Sequence, residues 1–488
     1  MNPLSIRHIV LVGHSLPLHL SAAILACRLA GYGVKITALE IAGNSSGDVE
    51  CTCGQFMGLC DILNVPLKTM LKTCQATFSL GQRYQQDQNN WFVPYGHFGL
   101  KKQDSEFIQG IFRLQQQRPE LQIDSACIAA QAAQQGKFAI PPANRPDLQA
   151  ALAFAVHLNA GLYAQQLKQT ALQHGVSFIE VDSIDLNREN GQQIHSVAIK
   201  DNKVITADFW IDCSGSLSLL ATDSRQVKLA QKINPCDKLT ECYIDSPTSP
   251  QVPYSTFEAC PWGWLKVIPA PGRVFYQLEY TSQRVSSRSI ETWLVEALPS
   301  RPQHIQHRDN IPLIVPQAWT ANCLAVGDAA VNLGKTFYSE LFFVQAALLQ
   351  FLDLYPGLSG QDICAHKFNR NWQRFVDETA EYAQFHYWLW GRENLDNPLP
   401  DDVLFTRRVA LFLRFGRLLP ADTDAVDEQR WYGILAALHQ VPQLASLYLS
   451  NLSDDQLEQS FAQIGRTIDR LVTGMPSYQD FYHQFSRT

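Results

Sequence analysis

The sequence predicts an α/β protein: a Rossmann-like domain with a doubly wound sheet, a β-rich region, and a C-terminal helical cap. Three observations predict it. "IRHIVLVG" is a continuous apolar run ending at Gly13, the pattern of a parallel strand buried on both faces. A helical stretch to about Ala30 and a second strand in "GYGVKITALE", ending at Glu40, complete a strand–helix–strand unit. Further along, "FWIDCSG" and "NCLAVGDAAVNL" read as buried strands that each run into a small-residue turn.

Composition bounds the function. The chain has 488 residues, enough for two or three domains or one elaborated α/β domain, with 46% apolar and 17% charged residues. A net charge of −7 argues against general binding to nucleic acid or to an anionic membrane. No apolar run reaches membrane-spanning length, and "MNPLSIRHIV" lacks the charged, apolar, small-residue series of a secretory signal. The 12 cysteines are scattered without a C-x-x-C pair, so they read as reduced thiols of a cytoplasmic protein. Neither they nor the 13 histidines fall into metal-ligand spacing.

The remaining elements follow in order. "ATFSLGQRY" and "WFVPYGHFG" read as strands around turns, and the Gln-rich residues 100–150 as solvated surface helices with a proline-containing connector. "LAFAVHLNAGLYAQQLKQTALQHGVSFIEV" reads as strand, helix and strand. "GQQIHSVAIKDNKVITADFWIDCSG" is a meander returning to the main sheet. A β-rich section covers roughly 235–290, and the pattern after about 360 is helical and rich in aromatics. This divides the chain into an α/β domain over 1–360, with 90–150 and 235–310 on the substrate side, and a helical region over 361–488.

The first turn, in "LVGHSLPLHLSAAIL", departs from the glycine-rich G-x-G-x-x-G pattern. Gly13 stands first, Ser15 second and Leu18 third. The second glycine normally lets backbone approach a pyrophosphate, and the third lets helix and strand pack closely. Leu18 is therefore expected to push the helix outward, and Pro17 removes one N–H from the anion-binding end. Glu40 ends the second strand, where a carboxylate can bind a ribose; the alternative is an ordinary solvated strand-end charge.

The order of these elements resembles the fold of flavoprotein monooxygenases, and finer stretches resemble the flavin-dependent tryptophan halogenases. "GDVECT" is similar to the family's G-V-G-E-A-T turn, "QATFSLGQRY" to A-T-F-K-x-G-I-x-F, and "WFVPYGHFG" to F-x-H-P-F-G. "HLNAGLYAQQL" resembles H-x-D-A-x-x-x-A-x-x-L, and "GWLKVIP" resembles G-W-x-W-x-I-P. "WTANCLAVGDAAVNLGKTFYSELFFVQAAL" and "FNRNW…FHYWLW" resemble its W-x-x-N-C and C-terminal helical patterns.

The resemblance implies FAD, reduced by a separate flavin reductase, and oxygen that together make hypohalous acid. A lysine then delivers halogen to an indole, a glutamate takes the ring proton, and a Ser-Thr-Gly turn holds halide. At the lysine position stands Ser79, whose hydroxyl forms no haloamine, and at the glutamate position Phe337, which accepts no proton. Tyr338, Ser339 and Glu340 replace the halide turn, and Glu340 would repel an anion there; its charge also suits a helix start. Trp264, Ile268 and Pro269 keep their motif, but Lys266 replaces its second tryptophan and returns an amine from a different strand, where a lysine ordinarily faces solvent.

By the same resemblance Gly215, Gly327 and Asp328 lie at turns beside the cofactor, and Glu50 and Thr52 keep part of the loop over its ring. The expectation is an FAD-linked oxidoreductase acting on an indole or other aromatic, free or in a peptide, with the Lys–Glu machinery replaced. A non-catalytic paralogue that binds a ligand or partner protein, and a conventional tryptophan halogenase, are the alternatives.

Overall fold

The structure is a computed structural model and describes residues 6–43, 49–52, 56–99, 105–142, 144–189, 193–200, 203–220, 227–246, 252–355, 361–391, 403–418, 423, 425–438, 440–444 and 452–487. Gly47 and Asp48 of the "GDVECT" stretch lie outside them. Two compact units emerge, each drawn from three segments. One comprises Met1–Ala76, Leu158–Asp237 and Asp309–Asp377; the other comprises Thr77–His157, Lys238–Arg308 and Glu378–Thr488.

The first unit is built on a six-stranded sheet. In spatial order its strands are Trp319–Thr320, Cys323–Ala325, Phe209–Cys213, His8–Gly13, Lys35–Ile41 and Ser177–Val181. All neighbours run parallel except the Trp319–Thr320 edge. The His8–Gly13 strand is apolar and buried from Ile9 to Val12 because it has a neighbour on each side and cover on both faces. Helix Ser15–Arg28 follows, buried from Leu16 to Ala26 between helices Ala160–Gln173 and Glu340–Asp353. Such all-round burial explains why its sequence lacks a polar face.

Asparagine side chains tie the sheet's edge. Asn322 accepts from Ile194 N at 2.9 Å and donates to Ile194 O at 2.9 Å, imitating one rung of a ladder. Asn369, on the helix Gln361–Trp390, does the same for Trp319 at 3.0 and 2.7 Å. Each carboxamide satisfies a backbone donor and acceptor that burial would otherwise leave unpaired.

The second unit contains a seven-stranded sheet in the order Gln303–Asp309, Lys238–Asp245, Arg273–Tyr280, Gly263–Ala270, Ser255–Cys260, Gly81–Gln86 and Asn89–Pro94. Strand Ser255–Cys260 pairs with Gly81–Gln86 in parallel, and the hairpins around them are antiparallel. A separate strand, Thr77–Ser79, pairs antiparallel with Ala155–Asn159. The C-terminal helix Tyr478–Arg487 secures it: Tyr478 Oη accepts from Phe78 N at 2.8 Å and donates to Phe78 O at 3.2 Å. Phe138, Phe154, Phe481 and Phe485 surround the Phe78 ring.

Two expectations are corrected. The 100–150 segment is helical in Ser105–Gln115 and Ile128–Gln134, but these are not solvated surface helices. Ile108, Ile111 and Leu114 are buried, and the alanine-rich second helix is buried on nearly every turn because small side chains permit close approach. Lys266 does not face solvent either: it is 6% exposed, since strand Gly263–Ala270 has neighbours on both sides and cover over both faces.

Gly13 is the tightest point of the main sheet. A Cβ there would stand 2.3 Å from Cys213 O, on the adjacent strand. Gly13→Ala must spread these strands, so the chemical-denaturation midpoint is expected to fall by the equivalent of about 3 kcal/mol, the upper part of the usual overpacking range.

Candidate active site

The first unit carries the nucleotide-type turn. Helix Ser15–Arg28 begins one residue after His14, which gives it no side-chain cap, and its first turn contains no acidic residue. Its N–H groups and positive dipole end therefore carry no built-in anion at the N-cap. Ser15 adopts φ 56°, the left-handed region in which a non-glycine residue costs roughly 1–2 kcal/mol. The serine thus keeps the backbone conformation that the glycine pattern provides for free. Leu18 is fully buried, so a side chain fills the space that a third glycine leaves empty.

Glu40 is no solvated strand end. Its Oε1 lies 2.8 Å from His19 Nε2 and its Oε2 lies 2.6 Å from Lys168 Nζ. Burial alone would raise this carboxyl, but the bonds to Lys168 and His19 hold it below its ordinary value. Burial keeps His19 below its own ordinary value in spite of Glu40, so the imidazole is neutral at pH 7 and donates Nε2–H. Each carboxylate oxygen still has a lone pair for a ribose hydroxyl.

The two later turns lie side by side in this unit. Gly215 has φ 61° and Gly327 has φ 59°, and a Cβ on Gly215 would stand 3.9 Å from Asp328 Cβ. Asp212 shapes the first turn, accepting from Ser214 N and Leu220 N at 3.0 Å each. At the second, Glu340 Oε1 accepts from Asp328 N at 3.1 Å. Lys335 Nζ sits between the carboxylates, 2.8 Å from Asp328 Oδ2 and 3.2 Å from Glu340 Oε2. Burial and the Glu340 carboxylate raise the Asp328 carboxyl, and Lys335 opposes them. Glu50 adds to the same negative field, and Thr52 lies two residues beyond it.

Phe337 and Tyr338 are buried, and Ser339 caps helix Glu340–Asp353 by accepting from Leu341 N at 3.0 Å. Glu340 is thus at once a first-turn carboxylate, favoured by the helix dipole, and an internal anion on the Gly327–Asp328 backbone.

In the second unit Ser79 is fully buried and donates to Gly81 O at 3.0 Å. Two residues before it, Thr77 Oγ1 donates to Pro269 O at 3.0 Å, linking this strand to the "GWLKVIP" strand. His157 lies opposite Thr77. Its Nε2 accepts from Ser255 Oγ at 2.8 Å, and its Nδ1 faces Thr77 Oγ1 at 3.3 Å and Pro269 O at 3.4 Å. Burial, with the Lys266 charge second, pushes this imidazole down to about 3.

Trp264, Lys266 and Ile268 alternate along one strand, so they share one face. Trp264 and Ile268 are fully buried. The Lys266 ammonium has no hydrogen-bond acceptor among the described residues; it lies 5.6 Å from the centre of the Phe257 ring, on the directly paired residue. A cation–π contact offsets only part of the cost of burying such a charge.

Sequence reasoning missed Lys335, His19, Lys168 and His157 as site residues. Lys335 carried a signal, standing between Asp328 and Glu340 in one short segment. His19 is one helical turn past Ser15 and could have been placed beside a strand-end carboxylate, but Lys168 is brought there only by the packing of helices. Among the described residues no three His, Cys, Asp or Glu converge as a metal site requires.

The Glu40 geometry sets a pH dependence. Its folded-state value is depressed, so its contribution is present above the ordinary carboxylate range and is lost as pH falls through the depressed value. Denaturation midpoints of wild type and Glu40→Gln are expected to differ near neutral pH, with wild type the more stable, and to converge in strong acid. His157, by contrast, should show no imidazole titration by NMR across the neutral range.

Comparison with known proteins agrees with this framework. A family model described as tryptophan halogenase matches residues 8–454. The tryptophan 6-halogenase ThaL of Streptomyces albogriseolus is 23% identical over 482 residues, covering 87% of this chain and 88% of that protein. Among solved structures, the flavin-dependent halogenase Xcc4156 of Xanthomonas campestris superposes with a TM-score of 0.90 at 22% identity, covering 99% of this chain and 98% of its own. BrvH, a flavin-dependent halogenase of Brevundimonas sp. BAL3, gives 0.89 at 22% identity over 98% and 99%. The structural likeness establishes the fold, and the family match over most of the sequence establishes descent: the chain belongs to the tryptophan halogenase family.

Proposed function

We propose that this chain is an FAD-dependent oxidoreductase acting on an indole or other aromatic ring, free or in a peptide, with Ser79 and Phe337 in place of the family's lysine and glutamate. The observation that carries the cofactor is Ser15. A left-handed serine at the start of an uncapped helix is strain held at the place where backbone must approach a pyrophosphate. Gly13, Ser15 and Leu18 would hold the pyrophosphate end, Glu40 the ribose, and Gly215, Gly327, Asp328, Glu50 and Thr52 the remainder. Reduced FAD, supplied by a separate flavin reductase, provides the electrons that activate dioxygen.

The residues favour oxygenation over halogenation. Glu340 already places a carboxylate on the Asp328 N–H, in the segment where the family resemblance puts halide, and a second anion there is repelled. Phe337 takes up no proton. Trp264 and Ile268 are buried apolar side chains on the same strand face as Lys266, which is proposed to donate from its buried ammonium to an electronegative group of the reactant. The free thiols of the described cysteines support residence in a reducing compartment, the cytoplasm. No described helix is long and apolar enough to cross a membrane.

Titration with FAD, followed by flavin fluorescence and the visible spectrum, tests the reading. Binding at micromolar concentration is expected, and Ser15→Gly, which relieves the strained φ, should preserve or tighten it. Absence of binding overturns the enzymatic reading and leaves the chain as a ligand- or partner-binding paralogue. With a flavin reductase, NADH and an indole, hydroxylated product without added halide is the expected outcome; halogenated tryptophan would restore conventional halogenation. Lys266→Met should lower turnover by about a hundredfold if the ammonium acts on the reactant, and leave FAD affinity unchanged.

A further inference from the structure

The second unit contains a buried tyrosine–histidine pair that the proposed chemistry does not use. Tyr84, fully buried on strand Gly81–Gln86, faces two acceptors among the described residues with its single phenolic proton: Gln82 Oε1 at 2.9 Å and His386 Nε2 at 3.1 Å. His386 Nδ1 lies 2.8 Å from the backbone oxygen of Tyr382, one turn back on its own helix. A carbonyl only accepts, so Nδ1 carries the ring proton, and in the neutral imidazole Nε2 presents its lone pair to the phenol. Of the two acceptors only the imidazole is basic.

The aromatic surroundings give this pair a direction. Trp91 stacks on Tyr84 with ring centres 5.2 Å apart and planes within 3°. Trp264 meets Tyr84 edge-on at 5.8 Å. The Trp91 Nε1–H is buried without a hydrogen-bond acceptor among the described residues. An oxidised Trp91 therefore keeps its proton and stays a buried cation, which is costly. An oxidised Tyr84 passes its proton to His386 Nε2, so the positive charge rests on an imidazolium held by two hydrogen bonds and not on a ring whose N–H has none.

We propose that Trp91, Tyr84 and His386 form a proton-coupled redox relay that captures one-electron oxidising equivalents. A strong one-electron oxidant removes an electron from the stacked pair. The hole settles on Tyr84, whose Oη–H bond breaks as the proton moves to His386 Nε2. The products are a neutral phenoxyl radical, an imidazolium and the oxidant reduced by one electron. The imidazolium keeps both hydrogen bonds, Nδ1–H to Tyr382 O and Nε2–H to the phenoxyl oxygen. Arg430, a like charge in its field, favours return of the proton when the electron is restored, so the relay resets. This holds whether or not FAD binds.

The test uses the full-length protein, a photo-excited ruthenium polypyridyl complex as oxidant source, and persulfate as electron acceptor. A neutral tyrosyl radical by electron paramagnetic resonance, formed with a solvent deuterium isotope effect, is expected in wild type. Tyr84→Phe should remove that radical and leave a tryptophan cation signal in its place. His386→Gln should slow tyrosyl formation by about a hundredfold and abolish the isotope effect, while Trp91→Phe should slow capture but leave Tyr84 as its end point. If Tyr84→Phe does not fold, the last two variants still read the relay. An unchanged tyrosyl signal in Tyr84→Phe, arising from the other 15 of the 16 tyrosines, or an unchanged rate in His386→Gln, overturns the proposal.

Discussion

The main sheet depends on the close parallel pairing of His8–Gly13 with Phe209–Cys213. Residues 200 positions apart in sequence pair there, and Gly13 is the point at which no side chain fits. That contact brings the first turn and the "IDCSG" turn to the same end of the sheet, since parallel strands end together. Once it is made, Cys323–Ala325 adds beside Phe209–Cys213, and the Gly327–Asp328 turn comes to lie next to Gly215. The neighbouring Gly215 and Gly327–Asp328 turns follow from this alignment.

Retained and altered motifs divide along physical lines. Several retained residues hold the scaffold: Asn322 and Asn369 substitute for missing ladder partners, and Tyr387 donates to buried Glu279 at 2.6 Å. Losing any of them leaves a buried polar group unpaired, at a cost of about 1–3 kcal/mol. Among the altered positions, Ser79 and Phe337 stand where the family resemblance places the reacting lysine and glutamate. Ser79 satisfies its hydroxyl on Gly81 O, and Phe337 is buried, so neither replacement costs the fold an unmet hydrogen bond.

Charge is placed unevenly between the two units. In the first, Lys335 and Lys168 each have carboxylate partners at hydrogen-bond distance. In the second, Lys266 is buried with an aromatic face and no acceptor among the described residues. A paired ammonium has little left to offer a reactant, whereas an unpaired buried one retains all three donors. This asymmetry is why Lys266, and not the better-satisfied lysines, carries the proposed contact with the reactant.

The sequence by itself determined the first strand, helix and second strand, the later strand–turn pairs, the helical C-terminal region and the family, because apolar periodicity and turn residues are local signals. The ordered series of motifs also supplied the register in which Ser15, Leu18, Ser79, Phe337 and Lys266 differ from the family pattern. Only the tertiary structure decided what those residues meet. A strand lysine reads as solvent-facing until neighbouring strands and cover on both faces bury it, as they do Lys266. A strand-end glutamate reads as solvated until helix packing brings Lys168 to within 2.6 Å. Tyr84 and His386, 302 positions apart, carry no mark of each other in sequence. Burial and long-range pairing are properties of the assembled chain, and the chemistry of a charge or a phenol is set by them.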